Sequence, residues 1–289
     1  MKQNRALTVL IPILILAAVA STCAGLFSQG GPGPFTVTSL HGKDVTLYGQ
    51  GIYRFDTYFR APIARGTDAV TLFLAVPLLV FTFIQYQKGS LRGTLFLTGL
   101  LAYFLYNSAS MALGIAYNSF FLVYIIYFSC SLYSFILAYF SIRVDELPER
   151  IEAGFPHRLA AYLLFFAGLS VFVWLNEILN PLFKGIYPPG LDTYTTEITF
   201  VIDLGIIPAA CYIAGFLLLR RRPNGYLLTF VMLTLLAMIG LVVLSQTVFQ
   251  AAAGIYLAPG QYFGLVGTFT ILGCLAIWTI VKILKNVAN

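Results

Sequence analysis

The sequence predicts an all-α membrane protein: a bundle of eight transmembrane helices with a small β-hairpin-like outer loop. Three observations predict it. Charged residues make up 10% of the chain and hydrophobic residues 59%, against roughly 25% charged in an ordinary soluble domain. The apolar residues fall in long uncharged runs, and at about 1.5 Å per residue roughly twenty of them cross a hydrocarbon core of about 30 Å. The cations stand singly or in threes at the ends of those runs. That placement marks them as topology signals and excludes a nucleic-acid face.

The first span covers about 6–27, after Lys2 and Arg5. Ala18-Val19-Ala20 before Ser21 leaves a cleaved signal peptide as the alternative, although the run exceeds the usual ~7–15 apolar residues of a signal core. The outer loop, 28–66, opens on the breaker-rich Gln29-Gly30-Gly31-Pro32-Gly33-Pro34. Alternation in Phe35-Thr36-Val37-Thr38 and Val45-Thr46-Leu47-Tyr48, around a turn at His41-Gly42-Lys43-Asp44, predicts a short hairpin. Ile52 to Arg60 is aromatic and suits the membrane interface, with Pro62 ending it.

Further spans are predicted at about 67–87, 93–115 and 119–142. The fifty residues between Arg92 and Arg143 carry no charge, and as one helix they would measure about 75 Å. They therefore turn back, at Tyr117-Asn118. A charged joint, 143–158, separates the halves, and the remaining spans follow at about 159–178, 198–219, 225–248 and 261–281. The connectors on one side, with both termini, hold twelve of the 17 Lys and Arg. The positive-inside rule then predicts an inner (plasma) membrane protein with both termini cytoplasmic.

Asp56-Thr57-Tyr58, then Asp68, is echoed by Asp192-Thr193-Tyr194, then Asp203. The echo raises a duplication of 1–150 in 151–289, two parallel four-helix repeats about the membrane normal. Chance similarity between apolar sequences is the alternative.

Chemistry-bearing residues are few. Sixteen uncharged residues separate Asp203 from Arg220, about 24 Å of helix, which puts a carboxylate just inside the outer edge of the core. Asp68 follows Thr67, where it would cap a helix N-terminus. Asn107, with Ser108 and Ser110, lies deeper, and Glu177 and Gln246 close spans five and seven near the outer boundary. Against each stands a structural reading: helix capping, interface solvation or inter-helix hydrogen bonding. Together Asp203, Asp68, Asn107, Gln246 and Glu177 predict an outward-facing polar pocket for a small solute or ion, with Arg54, Arg60 and Arg65 able to cover it or neutralise its acids. Cys23, Cys130, Cys211 and Cys274 are read as free thiols. Haem, a zinc motif, a catalytic triad and a phosphate loop are not signalled, so neither a metal nor a cofactor is expected, and an enzyme is the weaker reading.

The segments Leu47–Phe59 (LYGQGIYRFDTYF), Gly66–Leu79 (GTDAVTLFLAVPLL) and Gly89–Tyr117 resemble a family of bacterial polytopic integral membrane proteins with no established activity. The resemblance covers mainly the first half; it implies the membrane class and carries over no site residue. Two functional expectations stand. One is solute or ion binding through the outward pocket. The other is a sensory or assembly protein whose outer loop 28–66 binds a partner. The first requires Asp203 and Asn107 to face one cavity; the second requires a filled bundle and an exposed apolar patch on the loop. Lipid is the expected partner in either case.

Overall fold

The structure, a computed structural model, describes residues 4–151 and 154–287. Among these, eight helices are long and apolar enough to cross a membrane: α1 Arg5–Phe27, α2 Arg60–Gln87, α3 Leu91–Gly114, α4 Phe121–Ser141, α5 His157–Lys184, α6 Ile198–Leu219, α7 Pro223–Ala252 and α8 Pro259–Lys285. A two-stranded antiparallel hairpin, β1 Phe35–Thr38 and β2 Asp44–Leu47, pairs Phe35 with Leu47 and Thr38 with Asp44. The all-α bundle with its small two-stranded hairpin is therefore as the sequence predicts.

Local chemistry sets the helix ends. The Asn4 side chain accepts from the Ala6 N–H at 2.9 Å, and Ser90 accepts from the Gly93 N–H at 3.2 Å, each satisfying a donor that a helix start leaves unpaired. Gly185 ends α5 in the left-handed conformation, φ +64°. That helix runs six residues past its predicted end, through Pro181, and stops only at Gly185. The larger departure is in α2, which begins at Arg60 and not at residue 67. Pro62 does not stop it: at the third helical position its missing N–H is one that no intrahelical carbonyl needs. Asp68 is consequently more than two turns inside the helix, and the expectation that it caps a helix start is overturned.

Helix α7 is the axis of the bundle. It packs against α2, α3, α6 and α8 and is buried along most of its length. In the first half α1 touches α2, α2 touches α3, α3 touches α4, and α4 returns to α1. The second half repeats that ring, with α5 against α6, α6 against α7, α7 against α8, and α8 returning to α5. Close approach comes from small residues. A Cβ on Gly240 of α7 would lie 2.8 Å from the Cα of Gly273 in α8, so those two backbones meet where any side chain would hold them apart. At Gly114, by contrast, a Cβ would make only ordinary contact with Ile198.

Outward faces carry the residues that a water-soluble fold would hide, among them Phe73, Phe81, Leu122, Phe140 and Phe166, all exposed. Apolar surface on this scale, wrapped around a helical bundle, is surface for lipid. The first and last described residues lie at the same end of the bundle: the Asn4 N–H donates to Tyr86 Oη, Arg92 Nε donates to the Val287 carbonyl, and Ile151 pairs with Val287. The hairpin lies at the other end.

Candidate functional site

At the hairpin end the polar residues of several helices converge beneath the outer segment. Asp68 in α2 is fully buried. Its Oδ2 accepts from Tyr53 Oη at 2.6 Å, and its Oδ1 is buried with no hydrogen-bond partner. Tyr53 comes from the short turn Gly51–Tyr53 of the outer segment, so this segment reaches down onto the carboxylate like a cap. Room for the acid is made by α1: a Cβ on Gly25 would stand 1.8 Å from Asp68 Oδ2 and 2.8 Å from Tyr53 Oη. Burial, with the Asp68 carboxylate next in weight, holds the Tyr53 phenol well above its usual range.

One turn further along, α2 widens into a π-helical turn, Thr71–Ala75, a local defect that recurs at functional sites. There Thr71 Oγ1 lies 2.7 Å from Tyr103 Oη and accepts from Asn107 Nδ2 at 3.3 Å. The same amide donates to Tyr127 Oη at 3.0 Å. On the opposite flank Gln246 Nε2 donates to Thr67 Oγ1 at 2.8 Å, and Ser245 Oγ donates to the Gly66 carbonyl at 2.8 Å. Three of the five predicted residues, Asp68, Asn107 and Gln246, therefore gather around one stretch of α2.

The other two stand apart. Asp203 in α6 has both oxygens taken, Oδ1 by Tyr106 Oη at 2.8 Å and Oδ2 by Trp174 Nε1 at 3.0 Å. Its partners differ from those of Asn107, so the two side chains belong to separate hydrogen-bond groups. Glu177 is exposed on α5 and shares no partner with the rest. Of the three arginines, Arg60 forms a salt bridge with Glu197 and also donates to the Gly190 carbonyl at 3.0 Å. Arg65 donates to Tyr48 Oη at 2.8 Å and to the Leu26 carbonyl at 3.2 Å, while Arg54 lies over the Phe55 ring.

Sequence reasoning passed over Asp56. Its side chain is fully buried; Oδ1 accepts from the Ala116 N–H at 2.9 Å and from Tyr194 Oη at 2.8 Å, while Oδ2 has no partner. One carboxylate thus joins the outer segment, the α3–α4 turn and the loop before α6. Burial raises it to about 6, against the opposing pull of the Ala116 N–H, Tyr194 and Arg60. Burial likewise raises Glu197, although Arg60 pulls it the other way. The one available signal was the repeated Asp-Thr-Tyr, whose two copies meet here through Asp56 and Tyr194.

The arrangement is a closed polar layer. A buried acid with one free oxygen sits among hydroxyls and an amide, under a cap held by Asp56, by Arg60 with Glu197, and by Tyr58 Oη donating to the Ala253 carbonyl at 3.2 Å. Such a layer can hold a proton or small cation on Asp68 and exclude water from it. Comparison with protein-family models, curated proteins and solved structures finds no match to this chain.

Proposed function

We propose that this multi-pass membrane protein binds a small ion, a proton in the first instance, at Asp68, and moves it or a coupled solute from the outer face when the cap opens. The observation that carries the reading is the unpartnered Asp68 Oδ1 inside a membrane-spanning helix. A carboxylate so placed costs several kcal/mol if charged and unpaired, and intramembrane acids mark ion pathways for that reason. Thr71, Asn107 and Gln246 supply the surrounding polar shell. The matching rings of α1–α4 and α5–α8 support a parallel duplication, in which Asp203 is the counterpart of Asp68, each bonded to a tyrosine. The cations gathered at the end holding both termini support cytoplasmic ends in an inner membrane.

Infrared difference spectroscopy in lipid nanodiscs, titrated with acid and then with Na+ at constant ionic strength, tests this reading. A protonated-carboxyl band that titrates in the wild type and is missing from Asp68→Asn is the expected result. Superimposable spectra from the two proteins would sink the proposal.

A second reading has its own observation. Leu40, at the tip of the hairpin, is 87% exposed, and a shallow cavity of about 300 Å3 opens beside β2, lined in part by Tyr58, Asp192 and Ile255. Partner binding through 28–66 predicts that Leu40→Asp abolishes co-purification of that partner and leaves the Asp68 band intact.

A further inference from the structure

The second ring is not tightly closed where α8 returns to α5. A groove of about 490 Å3 opens there, its walls formed by Tyr162 and Phe166 of α5 and by Ile271, Leu275 and Trp278 of α8, and its surface almost wholly apolar. Both walls continue into a cation at the same end. Arg158, Tyr162 and Phe166 follow one another at four-residue spacing, and Ile271, Leu275, Trp278 and Lys282 at spacings of four, three and four, so each set forms one stripe along its helix. The Lys282 ammonium lies 3.7 Å from the centre of the Trp278 ring, which directs it back towards the groove. Arg158 and Lys282 are exposed, and neither forms a salt bridge among the described residues.

We propose that this groove is a binding site for an anionic phospholipid, one acyl chain lying between α5 and α8 and the phosphate held by Arg158 and Lys282. An apolar slot sized for a chain and ending in two cations without a salt bridge among the described residues matches the two chemical halves of such a lipid and no others in the bilayer as well. Zwitterionic lipids present the same chains without net charge. The groove faces outward from the bundle and shares no residue with the polar layer around Asp68, so the proposal stands independently of the ion-binding reading.

Trp174 and Trp278 are the two tryptophans of the chain, which makes Trp278 a direct reporter once Trp174→Phe is introduced. The probes are phosphatidylglycerol and phosphatidylcholine brominated on the acyl chains, titrated into nanodiscs of otherwise unlabelled phosphatidylcholine. Brominated phosphatidylglycerol is expected to quench Trp278 at a far lower mole fraction than brominated phosphatidylcholine. Arg158→Gln and Lys282→Gln should each reduce that preference about fivefold, the factor that about 1 kcal/mol per basic residue implies. Both positions are exposed, so neither change threatens folding. Equal quenching by the two lipids, meaning annular lipid only, overturns the proposal, as does a preference that survives in the doubly substituted protein.

Discussion

Replacing Asp56 by Asn is expected to tighten the outer cap at neutral pH. The wild-type carboxyl titrates near 6 in the folded protein, against 3.8 for the free side chain. Because the folded value is the higher one, the stability contributed by the protonated acid is full below about pH 3.8 and is lost as pH rises through about 6. The difference corresponds to about 3 kcal/mol at neutral pH. Asn keeps an oxygen for the Ala116 N–H and Tyr194 Oη and carries no charge to bury, so this pH dependence should vanish. Ala has the opposite effect, since it orphans both donors at about 1–3 kcal/mol each. The Ala116 amide is itself the reporter: hydrogen exchange of the peptide spanning it, corrected for intrinsic pH dependence, measures cap opening in nanodiscs. Wild-type protection should fall about 100-fold between pH 4 and pH 7.5, Asn protection should change far less, and Ala protection should be low throughout. Asp192 and Glu197 are also raised by burial, and Arg60 is the cation near them all. They add a background common to every variant, which the difference from wild type removes. Wild-type protection that rises with pH, or an Asn variant that tracks the wild type, would refute the reasoning.

Gly25→Ala puts a methyl group where Asp68 Oδ2 and Tyr53 Oη already sit, and should lower stability by about 3 kcal/mol or more in thermal unfolding, whereas Gly264→Ala, with open space around it, should be nearly silent. Gly240→Ala forces α7 from α8 and is expected to cost about 1–3 kcal/mol; cysteine cross-linking between the two helices should slow in parallel. A double-mutant cycle on Arg60→Ala and Glu197→Ala should return a coupling of about 1–3 kcal/mol, because the pair is largely shielded from solvent, with side-chain exposures of 22% and 13%. A coupling near zero would show that the two outer loops are held by something else. Tyr53→Phe removes the hydrogen bond that Tyr53 donates to the Asp68 carboxylate and should make the protonated-carboxyl band shift, without loss of the band itself.

Membrane class, span number and the hairpin were legible because they follow from one-dimensional physics: a bilayer demands runs of about twenty apolar residues, and alternation around a glycine turn demands a hairpin. Asp68, Asn107 and Gln246 were legible as polar residues out of place in apolar surroundings. The role of Asp68 was misread because its distance from the helix start depends on whether Pro62 stops the helix, and a proline near a helix start is compatible with either outcome. Asp56 was passed over because a carboxylate in a glycine-rich outer loop looks solvated until the Ala116 N–H and Tyr194, 60 and 138 residues away, are seen to enclose it.

Hydrophobicity and charge order along the chain determined that this protein lies in lipid, how often it crosses, and which connectors share a side. Only the tertiary structure decided that Asp68 keeps a free oxygen under Tyr53 while Asp203 does not, and that α5 and α8 leave a groove between them. Crossing a bilayer is a property of each segment taken alone. Burial, pairing and gaps arise between segments, where the spacing of two helices is set by residues such as Gly25 and Gly240 that carry no chemistry themselves.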